Sequence, residues 1–175
     1  MNEFVKIPSE RVKVLLGKNG SAKAKIEKKC NIGLVVDPDG EVEMIGEAAE
    51  LFFVRDIIKA VGRGFTPEAA LRLMGSDYGL YIIPLKEMAG SENAITRIKG
   101  RVIGEKGRIK SDIEDATDSY ISVYGNTISI IAKIDTMEYA KEAIGMIIDG
   151  SPLPSVLRYM AKSKREIMEA RLKGR

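Results

Sequence analysis

The sequence contains no histidine, no tryptophan and no glutamine, and its one cysteine is Cys30. Without histidine the chain lacks the commonest metal ligand and the commonest general base, which excludes histidine-based triads and ordinary zinc sites. A lone cysteine excludes an internal disulfide framework. No stretch reaches the roughly 18 consecutive apolar residues that a membrane span needs. The opening Met1-Asn2-Glu3-Phe4-Val5-Lys6 also lacks the basic-then-apolar order of a secretory signal. The expectation is a cytoplasmic protein without cofactor or membrane attachment. Long Pro/Ser tracts and single-residue repeats are missing too, which argues against a disordered chain. What remains is 175 residues, 45% hydrophobic and 30% charged, enough for one ordinary domain or two small ones. The missing glutamine and the abundant Ile, Lys and Glu suit a hot-growing source, against which the 8 Met weigh mildly. A melting temperature above about 65 °C is therefore expected.

Net charge is small overall, but charge of one sign is concentrated locally. The net charge is +3. Residues 11–29 hold Arg11, Lys13, Lys18, Lys23, Lys25, Lys28 and Lys29 against Glu27 alone. Residues 97–114 hold Arg97, Lys99, Arg101, Lys106, Arg108 and Lys110 against Glu105, Asp112 and Glu114. The last stretch, 158–175, is basic again. The rest of the chain is correspondingly acidic, a polarisation that suits a polyanionic partner.

Two stretches are copies of one another. Val14-Leu15-Leu16-Gly17-Lys18-Asn19-Gly20-Ser21-Ala22-Lys23-Ala24-Lys25-Ile26-Glu27 aligns with Arg101-Val102-Ile103-Gly104-Glu105-Lys106-Gly107-Arg108-Ile109-Lys110-Ser111-Asp112-Ile113-Glu114. The shared pattern is apolar-Gly-x-x-Gly-x-x-Lys-x-x-Ile-Glu, and it falls inside the first two basic windows. The flanking elements match as well. In the first copy, Phe4 to Pro8 alternates as a strand, Ser9 offers an N-cap for a short helix ending at Gly17, and a second helix starts near Ser21. Strands Ile32 to Val36 and Val42 to Ile45 are joined by Asp37-Pro38-Asp39-Gly40, and a helix from Glu47 to Val61 carries Leu51, Val54, Ile58 and Val61 on one stripe. The second copy repeats the order: strand Tyr78 to Pro84, helices Ser91 to Ile103 and Arg108 to Thr117, strands Tyr120 to Tyr124 and Thr127 to Ala132, and a helix from Asp135 to Asp149. The fold class expected is α+β, with each unit running β-α-α-β-β-α and a three-stranded sheet covered by helices. The divisions expected are 1–75, 76–150 and a basic helical tail, 151–175, in which Leu157, Met160, Ile167, Met168 and Leu172 lie among cations.

A Gly-x-x-Gly loop between two helices first of all makes a sharp reversal. It also lets a partner's backbone approach closely, while the next helix offers free amides and a partial positive charge to a phosphate. This pattern resembles the K-homology (KH) family, in which such a loop clamps the backbone of about four nucleotides. The resemblance covers nearly the whole chain and implies two tandem type I KH domains that bind single-stranded RNA. Carried over by position, it implies RNA contacts from Gly17, Lys18, Asn19, Gly20, Lys23 and Lys25 in the first unit. In the second unit it implies Arg101, Gly104, Glu105, Lys106, Gly107, Arg108 and Lys110. Both copies depart from the family at the position three after the second glycine, where Lys23 and Lys110 replace an apolar residue. Glu105 would repel a phosphate if it pointed inward. Ile26, Val35, Ile113 and Val123 are candidate walls of a base groove, with core burial the competing role. Replacing both glycines of a loop by aspartate is expected to abolish clamping with the fold intact.

The tandem arrangement, the Gly64-Phe65-Thr66-Pro67-Glu68 joint and the basic tail further resemble archaeal relatives of a ribosome-assembly factor that partners the Nob-one endonuclease. That resemblance implies binding near the 3′ end of small-subunit ribosomal RNA during its maturation, without catalysis. It also implies the nuclease and the alpha subunit of initiation factor 2 as partners. Catalysis finds no support in the residues: Gly17-Lys18-Asn19-Gly20-Ser21-Ala22-Lys23 lacks the Gly-Lys-Ser/Thr of a nucleotide-binding loop. Asp112 and Glu114, two apart on a helix, diverge rather than pair. The competing reading is a protein-interaction scaffold in which the Gly-x-x-Gly loops are vestigial turns.

Overall fold

Two sheets of three strands, each with helices packed against it, account for the computed structural model, which describes residues 1–174. The first contains β1 (Asn2–Lys6), β2 (Gly33–Val36) and β3 (Glu41–Ile45) in the order β1-β3-β2, both pairings antiparallel. Its helices are α1 (Val12–Leu16), α2 (Ser21–Cys30), α3 (Ala48–Gly62) and the single turn α4 (Pro67–Ala70). The second contains β4 (Tyr78–Pro84), β5 (Ser119–Tyr124) and β6 (Thr127–Lys133) in the order β4-β6-β5. Its helices are α5 (Leu85–Met88), α6 (Glu92–Ile103), α7 (Arg108–Thr117), α8 (Ile134–Ile148) and α9 (Leu153–Lys173). The chain divides into two compact units between Leu80 and Tyr81, within β4. Helix α9 belongs to the second unit.

Alternation along the strands sets the inner and outer faces of the first sheet. Val5 and Leu34 flank Val42 and Met44 of the central strand, and all four are buried on the helix side. Phe4, Val35 and Ile45 point the other way and are exposed. On α3, Leu51, Val54, Ile58 and Val61 form the expected stripe and are fully buried. The second core is assembled in the same manner from Ile128, Ile130 and Ala132 of β6 with Ala140, Ile144 and Ile147 of α8.

Local chemistry explains most of the boundaries. Ser91 caps α6, its Oγ accepting from Ala94 N at 3.1 Å, and Thr66 caps α4 in the same way with Pro67 at the first helical position. Ser9 does not cap a helix. Pro8 takes that place without a side-chain bond, and Ser9–Arg11 form a 3₁₀ turn leading into α1. Strand β1 ends at Lys6, short of the expected Pro8. Ile7 N still donates in register to Gly40 O at 2.8 Å, but Gly40 N turns back to Asp37 O at 3.0 Å, and Pro8 has no N–H to continue the ladder. The tail is a helix that packs on α7 and α8 through Val156, Met160, Ser163 and Ile167, which are buried, whereas Leu157, Met168 and Leu172 are exposed. No described helix is long and apolar enough to cross a membrane.

Candidate nucleic-acid interface

Both Gly-x-x-Gly loops adopt one backbone conformation. Gly17 and Gly104 have φ of 73° and 74° with extended ψ, and Gly20 and Gly107 both have φ 74°, ψ 13°. Between them Asn19 (φ 56°) and Lys106 (φ 55°) are also left-handed, so each loop passes through consecutive left-handed residues before the next helix begins. The second glycine's N–H donates to the first glycine's carbonyl at 3.3 Å in one loop and 3.2 Å in the other. A left-handed L-residue costs roughly 1–2 kcal/mol, which asparagine tolerates better than lysine.

The two glycines of each loop have different reasons for being glycine. A Cβ on Gly17 would lie 2.7 Å from the backbone N of Ala22, and one on Gly104 would lie 2.9 Å from that of Ile109. The first glycine is therefore a packing requirement at the start of the following helix. A Cβ on Gly20 or Gly107 would meet nothing within 4 Å. The second glycine faces open space, where a ligand backbone can come close. This corrects the expectation that aspartate at both positions spares the fold, because the first position admits no side chain without displacing α2 or α7.

The helices that begin here are ready for an anion. Neither α2 nor α7 has a side-chain N-cap, since the capping positions are Gly20 and Gly107. Lys18, Asn19 and Lys25 stand exposed around the first start, and Lys106 and Arg108 around the second. Glu105 is exposed with them, and a concavity of about 490 Å³ on this side is lined by Glu105, Lys106, Gly107, Arg108, Ser111 and Asp112. Ser111, absent from the expected contacts, joins this rim from α7, one helical turn after Gly107.

Three of the expected cations also have partners within the fold. Lys23 pairs with Glu27 at 3.8 Å and Lys110 with Glu114 at 3.1 Å, one helical turn on in each case. Those same glutamates accept the backbone N–H of Leu34 at 2.8 Å and Ile121 at 3.0 Å, tying the clamp helix to the edge strand of its sheet. The lysines that depart from the family pattern thus complete a lysine–carboxylate–amide bridge built twice. Its sequence signal was the recurrence of Lys, Glu and an apolar residue at one spacing in both copies. Arg101 donates to the carbonyls of Ile147 and Ser151, both at 2.7 Å, at the end of α8. Arg11 does the same in the first unit, with Val61 O and Phe65 O both at 2.8 Å. Of the groove candidates, Ile26 and Ile113 are fully buried core residues, Val123 packs partly against the core, and Val35 is half exposed on the outer face of its sheet.

With this geometry in view, the comparisons are specific. A profile of the eukaryotic-type KH domain (KH domain type I) matches residues 79–165. A KH domain-containing protein of Methanocaldococcus jannaschii is 39% identical over 174 residues, covering 97% of this chain and 77% of that protein. The chain belongs to the KH-domain family. The pre-rRNA-processing protein pno1 of Aspergillus fumigatus is 31% identical over 118 residues, 63% of this KH chain and 46% of that protein. The crystal structure of Dim2p from Pyrococcus horikoshii superposes with a TM-score of 0.86 at 39% identity, covering 93% of this chain and 99% of that one. A second structure from that organism, described as an a/eIF2alpha–aDim2p–rRNA complex, gives a TM-score of 0.87 at 39% identity with 95% of each chain covered. This KH protein is accordingly a relative of Pno1 and Dim2, in a family of RNA-binding modules.

Proposed function

We propose that the chain is a non-catalytic clamp for single-stranded RNA that grips the 3′ end region of small-subunit ribosomal RNA during maturation of the subunit. The observation that carries the reading is the pair of superposable loops, each presenting an uncapped helix start with open space at its second glycine. A sugar-phosphate backbone fits that arrangement: the glycine admits it, the amides and helix dipole meet a phosphate, and Lys18 and Lys25 or Lys106 and Arg108 supply charge. Arg101 lines a cavity together with Gly104, Glu105 and Arg108, and Lys23 and Lys110 lie in the first turn of α2 and α7. Base stacking plays a small part, because no loop residue is aromatic. The likeness to the Dim2p chain seen with rRNA and a/eIF2alpha supports the ribosomal context. On the same footing, the initiation factor's alpha subunit and a Nob-one-type endonuclease are proposed as protein partners.

The test is fluorescence anisotropy with short single-stranded RNAs, including the 3′ end of small-subunit rRNA, for Gly20→Asp, Gly107→Asp and the double variant. An aspartate at the open glycine puts a carboxylate where the phosphate sits, and affinity in the working unit falls by about tenfold or more. Unchanged affinity in a correctly folded double variant would overturn the clamp in favour of a protein scaffold.

A further inference from the structure

The two units are copies, but one helix is present in only one of them, and its absence exposes a face. In the second unit α9 lies across α7 and α8. Its Arg171 pairs at 2.5 Å with Asp118, the left-handed residue that ends α7, and its Glu166 accepts from Tyr139 of α8 at 3.0 Å. Ile167, between these contacts, is 5% exposed. The first unit begins the same structure. Gly64-Phe65 and Leu71-Arg72-Leu73-Met74 align with Gly150-Ser151 and Leu157-Arg158-Tyr159-Met160, and the turns share a bond, Phe65 N to Ala60 O and Ser151 N to Met146 O. After Met74, however, the chain turns away at Gly75, whereas α9 continues from Met160 to Lys173.

What α9 covers in the second unit is bare in the first. Met160 is 4% exposed and its counterpart Met74 39%. Phe53, the counterpart of Tyr139, is 38% exposed, and Phe52 beside it 66%. Asn31 ends α2 in the left-handed conformation that Asp118 has at the end of α7. Here lies a cavity of about 270 Å³ whose lining includes Lys29, Cys30, Asn31, Glu50, Phe53 and Met74. Glu50 occupies the place of Thr136, and its Oε2 is buried without a hydrogen-bond partner among the described residues. A carboxylate oxygen in that state calls for a donor, and one that is cationic gains most.

We infer that this face is a docking site for a helix from a protein partner, seated as α9 is seated in the second unit. Such a helix carries an apolar side chain that enters beside Phe53 and Met74, as Ile167 does on the other copy, and a lysine or arginine one turn later that meets Glu50. The inference stands apart from the RNA reading, since no residue of the clamp takes part.

The probe is a synthetic peptide of residues 157–173, titrated into the full-length, isotopically labelled protein and followed by amide and methyl NMR. Saturable shifts at Asn31, Glu50, Phe53 and Met74 are expected, lost with a peptide carrying Ile167→Asp. The charge contact is tested by a swap: Glu50→Lys weakens the original peptide by up to about fivefold and a peptide carrying Arg171→Glu recovers the loss. Glu50→Lys is checked for a native spectrum first, and Met74→Asp serves as a second variant on the apolar side. Shifts confined to the second unit, no shifts at the first unit up to about 1 mM peptide, which is near the weak end of specific binding, or a swap without recovery would overturn the proposal.

Discussion

A methyl group distinguishes the two glycines of each loop. Gly17→Ala and Gly104→Ala should destabilise their units by at least about 1 kcal/mol more than Gly20→Ala and Gly107→Ala in urea unfolding, because all four carry the left-handed penalty and only the first two also collide with a helix start. Glu27 and Glu114 form the next test. Removing either carboxylate strands a strand amide and a half-buried lysine, so Glu114→Ala should cost about 1–3 kcal/mol, well above a surface ion pair. Cys30 gives the pH-dependent prediction. Burial pushes its thiol above the ordinary value, with Lys29 opposing. The native state therefore holds the proton more tightly than the unfolded chain, so the thiol's contribution to stability is intact below about pH 8.5 and declines as pH rises beyond it. Thiol-reagent labelling at pH 8 should correspondingly be slow in the native protein and fast in denaturant. At this scale the sequence was partly legible. It marked both glycines and the flanking cations, but not that Lys23, Lys110 and Arg101 are occupied, because their partners lie on other turns or other elements.

Elements with a full period of hydrophobic pattern were readable in advance. Strand β4 and helix α7 have the limits expected, and the stripe on α3 is buried as expected. The single turn α5 is not legible, because four residues display no helical period, and the expected β1, Phe4 to Pro8, lies two residues later than the strand, whose Phe4 is exposed on the outer face. Helix α9 was legible as an amphipathic segment but not as part of the second unit. Its polar seam to α7, Lys164 to Asp115 at 2.9 Å and Arg171 to Asp118, joins residues far apart in sequence. Ile167→Ala should cost about 2–4 kcal/mol, and truncation after Pro154 should lower the melting temperature of the second unit, because it removes the buried Val156, Met160 and Ile167. A truncated chain that melts like the full one would show that α9 is a passenger.

For the whole molecule, the decisive signal is the repeat, which marks two units, the order of elements along each and both loops at once. The compact division itself falls inside β4, a place that composition does not mark. If the loops act on RNA backbone, binding should weaken with salt at a slope of about −3 in log–log terms for each clamp engaged on four phosphates, and titration from low to high salt with each second-glycine variant counts the clamps in use. A slope near zero would mean that charge is not what holds the strand.

The arginines that reach the ends of α3 and α8 show one contact made in two ways. They hold equivalent carbonyls, yet they do not occupy equivalent places: Arg101 stands three residues before its loop and Arg11 six before the other, where the opposite copies have Val14 and Ile98. Both units therefore place a guanidinium at an open helix end, each from a different turn. An alignment of the halves sets neither arginine opposite the other and so overlooks a contact that both units make.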